Sequence, residues 1–226
     1  MAKHGKKYVE LKKTIDSSKL YSVAEAVELL KKTVYTKFDP TIEIAINTFA
    51  NPKYNDQMIR STTILPNGTG KTKKIAVFIS EDKAADAKKA WADIAGTENL
   101  LNDIKAGKFD FDILITTPDH IRDLAVVAKQ LGPKWLMPSP KAWTVVQNIE
   151  QAVEEIKKGK IEFKLDKTGN IHAPVGKWSF DSTKLQENIE SFIKSVEESK
   201  PAWVKGKLIR KIVLSSTMSP GIQIIC

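Results

Sequence analysis

A single cysteine, Cys226, in 226 residues rules out a disulfide framework and any cysteine-based metal centre, and it suits a reducing compartment. Only three histidines are present, His4, His120 and His172, on unrelated stretches with no H-x-x-x-H pair, so the sequence offers no metal site. No serine lies in a nucleophile elbow, and the acidic residues are scattered along the chain. No catalytic residue is therefore expected. Apolar runs are all too short to span a bilayer, and the basic opening MAKHGKKY has no apolar stretch behind it. Neither a signal peptide nor a membrane anchor is expected, and the location expected is cytoplasmic. A G-x-G-x-x-G fingerprint is also missing, and no acid is placed to hold a ribose, so no cofactor is expected.

What is present begins with charge. The formal net charge is +9, with hydrophobic residues at 42% and charged residues at 28%, a composition for a globular protein of two ordinary cores. Residues 1–67 and 160–226 together hold 22 Lys and Arg against 14 Asp and Glu, a surplus of eight; residues 68–159 hold 14 against 13. The excess belongs to the two outer segments. A basic surplus on one domain is what a polyanion-binding surface needs, because each neutralised phosphate releases counterions.

The outer segments read as strands covered by about two helices. Ser22 followed by Glu25 is a capping-box signature, and Val23, Ala26, Val27, Leu30 and Val34 mark one face of a helix over about 22–35, which Asp39-Pro40 ends. Ile42, Ile44 and Ile46 alternate with Thr41, Glu43 and Asn47 in a strand over 41–49, and 59–65 resumes extended structure. Ile161 to Lys177 reads as a hairpin about Asp166-Lys167-Thr168-Gly169-Asn170, with partners expected among 41–49, 59–65 and 208–216. Leu185, Ile189, Phe192, Ile193 and Val196 give a long helix over 182–199, stopped at Lys200-Pro201. The layers form a split α/β sandwich with one sheet face or edge left to solvent.

The central block has a different rhythm, with strands at 75–79 and 111–115 and helices at about 83–92, 97–106, 119–130 and 148–158. Short apolar strands between helices predict a small parallel sheet covered on both faces, a three-layer domain. At its entrance, Gly70-Lys71-Thr72 has the tail of a phosphate-cradling loop. Leu65 stands where the first glycine belongs, and a strand follows where a helix is required, so the stretch is better read as a flexible hinge. The loop 132–143, with three prolines, Trp135, Trp143, Lys134 and Lys141, either lays a basic aromatic surface against nucleic acid or covers the core with its tryptophans. His172 is either a base-stacking ring or an ordinary surface residue.

Seven separated stretches carry a resemblance: KHGKKY at 3–8, KFDPTIEI at 37–44, LPNGTGK at 65–71, FDILITTPD at 111–119, LGPKWLMPSPKAWTV at 131–145, IEFKLDKTGNIHAPVGK at 161–177 and STMSPGI at 216–222. In this order they resemble the ribosomal protein L-one family, in its bacterial form, the large-subunit protein of the mobile side stalk. The resemblance implies a two-domain α/β plan: a discontinuous two-layer split sandwich (1–67 with 160–226) and an inserted three-layer Rossmann-like domain (68–159). It implies a non-enzymatic, monomeric constituent of the large subunit that binds stalk rRNA among other ribosomal components. Release of deacylated tRNA from the exit site and repression of its own operon mRNA are implied with it. By motif, the RNA-binding residues are Lys37, Phe38, Thr41, Glu43, Lys167, Thr168, His172, Thr217, Met218 and Ser219, with Lys3, Lys6, Lys134 and Lys141 as secondary candidates. Ser219 stands where the family has glycine, Trp135 and Trp143 likewise, and Ser139 replaces an asparagine. The alternatives are a nucleotide-dependent enzyme using the central sheet, and a nonspecific nucleic-acid binder.

Overall fold

The computed structural model describes residues 5–16, 18–80, 92–140 and 143–225. Lys3, Lys141 and all but the last residue of the helix expected over 83–92 lie outside them. The chain is a mixed α/β protein with two compact units, one from residues 1–70 with 161–226 and one from 71–160. Among the described residues no helix is long and apolar enough to cross a membrane.

In the first unit, β1 (Thr41–Thr48) is central to an antiparallel sheet in which it lies between β7 (Asn170–Lys177) and β8 (Ile209–Ser216), with β9 (Ile222–Ile224) beyond β8. Ile42, Ile44, Ile46, Ile171, Ala173, Ile212, Leu214, Ile222 and Ile224 face one way and are buried. They are covered by α2 (Val23–Lys32) and α7 (Ser182–Glu198), whose Ala26, Val27, Leu30, Leu185, Ile189, Phe192 and Val196 complete the core. Phe192 meets Phe163 edge to face, ring centroids 5.3 Å apart at 74°. The opposite sheet face carries Glu43, Ala45, Asn47, His172, Val213, Ser215 and Gln223, small or polar and none fully buried. Each of these residues alternates with a buried one, as period-2 geometry requires.

Two register shifts adjust this sheet. Ile42 pairs with Gly176 and Glu43 with Pro174, leaving Val175 as an extra residue on β7. Gly176 there lies against α7: a Cβ would come within 2.8 Å of Leu185 Cδ2. The second shift, between Asn47 and Thr48, leaves Arg210 extra on β8.

The stretch 161–177 departs from the expected hairpin. β6 (Lys160–Lys164) pairs with β2 (Arg60–Ile64), while β7 pairs with β1, so its two arms enter different sheets and share only the bridge Leu165–Ile171. The partners are those expected from the strand pattern. The arms split because β2 takes the first and β1 the second, while Ile161, Phe163, Leu165, Ile171 and Ala173 all join one buried core. Helix α2 shows the full capping box, yet it stops at Lys32 with Thr33 as C-cap, short of 35 and well before Pro40. Preceding it, α1 (Lys6–Lys13) is a short exposed helix.

The second unit has a parallel sheet in the order β4 (Ile94–Gly96), β3 (Ile75–Phe78), β5 (Ile113–Thr116). Ile75, Val77 and Ile115 pack with Ile149, Val153 and Ile156 of α6 (Ile149–Lys157). Ala76, Phe78 and Leu114 pack with Leu100 and Ile104 of α3 (Glu98–Lys105) and with Leu124, Val127 and Leu131. The helix expected over 119–130 is instead α4 (Ile121–Leu124) and α5 (Ala128–Leu131) joined by a 3-10 turn at Ala125–Val127. Val126 and Val127 are poor helix formers at that joint, and Pro118 and Pro133 bound the whole segment. Burial at Leu124, Val127 and Leu131 survives the breaks because a 3-10 turn keeps the same side inward.

Candidate nucleic-acid interface

At one end of β1 four segments distant in sequence meet. The Thr217 amide donates to the Thr41 carbonyl at 3.0 Å, and the Thr41 amide donates to Thr217 Oγ1 at 3.2 Å. Lys177 Nζ donates to Thr41 Oγ1 at 3.0 Å and to the Asp39 carbonyl at 3.4 Å. Asp39 in turn accepts from the Ser179 amide and hydroxyl at 3.1 and 2.9 Å, fixing the loop 36–40. On that loop Phe38 is 55% exposed, beside the exposed Lys37. The Tyr35 hydroxyl donates to the Met218 carbonyl at 3.0 Å, and Met218 is 63% exposed. Thr41, Thr217, Met218, Phe38 and Lys37 thus share one rim, built of hydroxyls, a lysine and an exposed ring.

The turn after β8 is held by Ser219. Its hydroxyl accepts from Ser216 Oγ at 2.7 Å and donates to the Thr33 carbonyl at 3.2 Å, while its amide bonds the Ser216 carbonyl. The left-handed residue of this turn is Met218, φ 70°, and not Ser219. Serine therefore fits where glycine was the expected type, and it adds contacts. Replacing Ser219 by glycine is expected to lower stability by about 1 to 2 kcal/mol, from two modest hydrogen bonds and glycine's extra unfolded-state entropy. A urea titration reads this directly, and an unchanged midpoint contradicts it.

Glu43 and His172 lie farther along the bare face. Register places Glu43 between Pro174 and Ser215, neither of them cationic, and His172 opposite Ala45. Lys167 and Thr168 lie at the other end of β1, where Gly169 accepts from the Thr48 amide and hydroxyl at 3.0 and 2.9 Å. β1 spans seven residue steps, so the two ends of the candidate set are about 23 Å apart at roughly 3.3 Å per residue. Glu43 and His172 on the polar face lie between the two ends, while the Ser219 side chain is turned toward the buried Ser216 and Thr33.

The far turn is organised by Asp166. Its carboxylate accepts from the Thr168 amide and hydroxyl at 2.8 Å and the Asn170 amide at 2.7 Å, and His172 Nε2 is 3.8 Å away. Partial burial acts against the charge, but the Asn170 amide, Thr168 and the His172 ring outweigh it and hold the carboxyl below its ordinary range. A depressed folded-state value means a contribution fully present above the unfolded value near 3.9 and lost as pH falls through the folded one. The stability difference between the natural chain and Asp166→Ala should accordingly shrink as pH is lowered from 6 to 2 in denaturant titrations. A difference independent of pH contradicts the assignment.

Of the secondary candidates, two lie among the described residues. Lys6 begins α1, and Lys134, in the second unit, has its Nζ 3.6 Å from the Phe109 ring centroid. In the loop 132–143 the core is covered by Leu136 and Met137, while Trp135 is 83% exposed, so the tryptophans do not cover it. Trp135 and Trp143 have φ of 60° and 56°, left-handed values of the kind glycine adopts freely. Residues that pattern reading missed are Lys177 and Tyr35, which position Thr41 and Met218. Lys177 ends the alternating run of β7, the one signal that could have placed it beside Thr41.

Pro66 to Thr72 is no phosphate loop. β3 follows it after Lys73–Lys74 with no helix between, and a Cβ at Gly70, φ 69°, would meet Lys177 Cγ and the Phe180 ring at 2.9 Å. The boundary between the two units falls just after Gly70, within the stretch read as a hinge, and before it the Asn67 amide bonds Asn188 Oδ1 at 3.0 Å and Asn67 Nδ2 bonds Glu187 Oε2 at 2.7 Å. Among the described residues no group of His, Cys, Asp or Glu is arranged to hold a metal ion.

Comparison with known families places residues 30–220 within one of them, a match that takes in the rim loop, the bare sheet face up to β8, the central unit and the Thr217 turn. The chain belongs to the Ribosomal protein L1p/L10e family, whose role is a structural one in the ribosome with rRNA binding.

Proposed function

We propose that this chain binds the rRNA of the mobile stalk of the large subunit through the bare face of its long sheet. The observation that carries the reading is the rim where Thr41 and Thr217, 176 residues apart, are bonded to each other beside exposed Phe38 and Met218. Threonine hydroxyls and backbone groups suit 2′-OH recognition, Phe38 offers a stacking face, and Lys37, Lys167 and Lys177 meet phosphates. Glu43, with no cation beside it in register, serves as an acceptor for a sugar hydroxyl or a base amino group. In this reading the discontinuous unit is a two-layer split sandwich and the main RNA binder, and the central unit is an inserted Rossmann-like domain. Acting as a monomer in the ribosome, the protein assists departure of deacylated tRNA from the exit site. It also represses its own operon mRNA by binding a leader that imitates the rRNA site.

Thr217→Val and Phe38→Ala should each weaken binding to a stalk rRNA fragment by about 1 to 3 kcal/mol, through one lost hydrogen bond or one lost stack. Filter binding at fixed salt tests this, and unchanged affinity for both removes the proposed rim. Equal competition by single-stranded DNA would instead mark a nonspecific binder. A gel-shift competition between the stalk fragment and the operon leader tests the repressor role, which fails if the leader does not displace the fragment.

A further inference from the structure

The far end of the same sheet carries residues that the rim does not use. From residue 199 to 226 the chain has five cations, Lys200, Lys205, Lys207, Arg210 and Lys211, and no Asp or Glu. The bulge that leaves Arg210 unpaired lets Arg210 and Lys211, neighbours in sequence, both stand exposed, where a regular strand would turn one of them inward. The Arg210 guanidinium carbon lies 5.8 Å from the centroid of the Phe49 ring. Phe49 follows β1 directly and is 57% exposed, and its amide donates to the Leu208 carbonyl at 2.9 Å. That bond ties the ring to the basic loop 200–208. On this loop Trp203 is 71% exposed, next to the buried Val204, whose amide donates to the Pro201 carbonyl at 3.1 Å.

Two large rings left in water, on segments fastened together among cations, have the chemistry of a stacking platform flanked by phosphate contacts. We propose that this end of the sheet is a second RNA contact, one that takes an unpaired stretch: a base stacks on Phe49, Trp203 offers a second face, and Arg210 and Lys211 meet successive phosphates. The stretch must be unpaired because the bases of an A-form helix are stacked on one another and cannot reach a protein ring. The inference rests on the reading that the bare face binds rRNA, and it extends the contact past Asn47.

The test titrates the intact chain at several salt concentrations against a stalk rRNA fragment made with and without a short unpaired flank. The flank is expected to tighten binding roughly fivefold to a hundredfold, the range for one base stack. Phe49→Leu should abolish that gain, and Phe49→Tyr should keep it. Arg210→Gln with Lys211→Gln should lower the slope of log affinity against log salt by about 1.4 on the flanked RNA only, two phosphates at about 0.7 each. Thr217→Val should weaken both RNAs alike. All four sites are at least partly exposed, and circular dichroism checks that each variant is folded. Equal binding of the two RNAs by the unaltered chain, or wild-type gain and slope in the Phe49→Leu and Arg210/Lys211 variants, overturns this contact alone. Failure of the unaltered chain to bind either RNA overturns the rRNA reading and this contact with it.

Discussion

Asn188→Leu is expected to lower the stability of the first unit by about 3 to 5 kcal/mol, a large share of what holds an ordinary domain. Asn188 is fully buried on α7. Its Oδ1 accepts from the Asn67 amide at 3.0 Å, and its Nδ2 donates to the carbonyls of Gly68 and Val175 at 2.9 and 2.8 Å. One side chain therefore satisfies three backbone groups, one of them in the bulge of β7. Leucine matches the volume but leaves those groups without a partner, each at about 1 to 3 kcal/mol. Among the described residues no buried side-chain polar atom lacks a hydrogen bond, so the site has no slack of this kind. Urea unfolding followed by far-ultraviolet circular dichroism should show the loss, and a change under about 1 kcal/mol would contradict this assignment.

Phe192→Ala should cost a similar amount, about 3 to 5 kcal/mol, by a different route. Phe192 is fully buried between α7 and the strands and packs edge to face on Phe163, also almost wholly buried. Removing the ring discards its transfer free energy, leaves a cavity, and breaks an aromatic pair. The same loss measured in a Phe163→Ala background should be smaller, because the pair is then already broken. Additive losses would show that the two rings do not couple. Neither Phe192 nor Asn188 is placed at the proposed RNA rim, so both variants should retain affinity at temperatures where they remain folded.

Much of the architecture was legible in residue patterns for identifiable reasons. Ile42, Ile44 and Ile46 announce a strand with one buried face, Ser22 and Glu25 announce a helix start, and Leu185, Ile189, Phe192 and Val196 announce a helical stripe; each pattern is local and redundant. What pattern reading lost was set by distant partners. The arms of 161–177 separate because β1 and β2 each claim one, a choice no nearby residue records. Arg210 and Lys211 look like an interruption of a strand, and only the register against Asn47 and Thr48 shows a bulge turning both to solvent. The segment 119–130 has helical burial spacing but breaks into short turns, since 3-10 and α geometry bury the same positions.

The candidate site was legible to a smaller degree. Family motifs point to Thr41 and Thr217, but that the two bond each other, with Lys177 and Tyr35 behind them, is a fact of tertiary pairing. The motif substitution at Ser219 looks damaging because the family has glycine there. The left-handed position is Met218, one residue earlier, and the serine hydroxyl instead pins the turn to Thr33.

The central claim is that two ends of the chain form one RNA-binding sheet face. Amide hydrogen exchange of the intact protein, with and without a stalk rRNA fragment, tests it most directly. Added protection is predicted over residues 37–43, 167–172 and 213–219 together. Protection confined to residues 71–160, with those three segments unchanged, would contradict it.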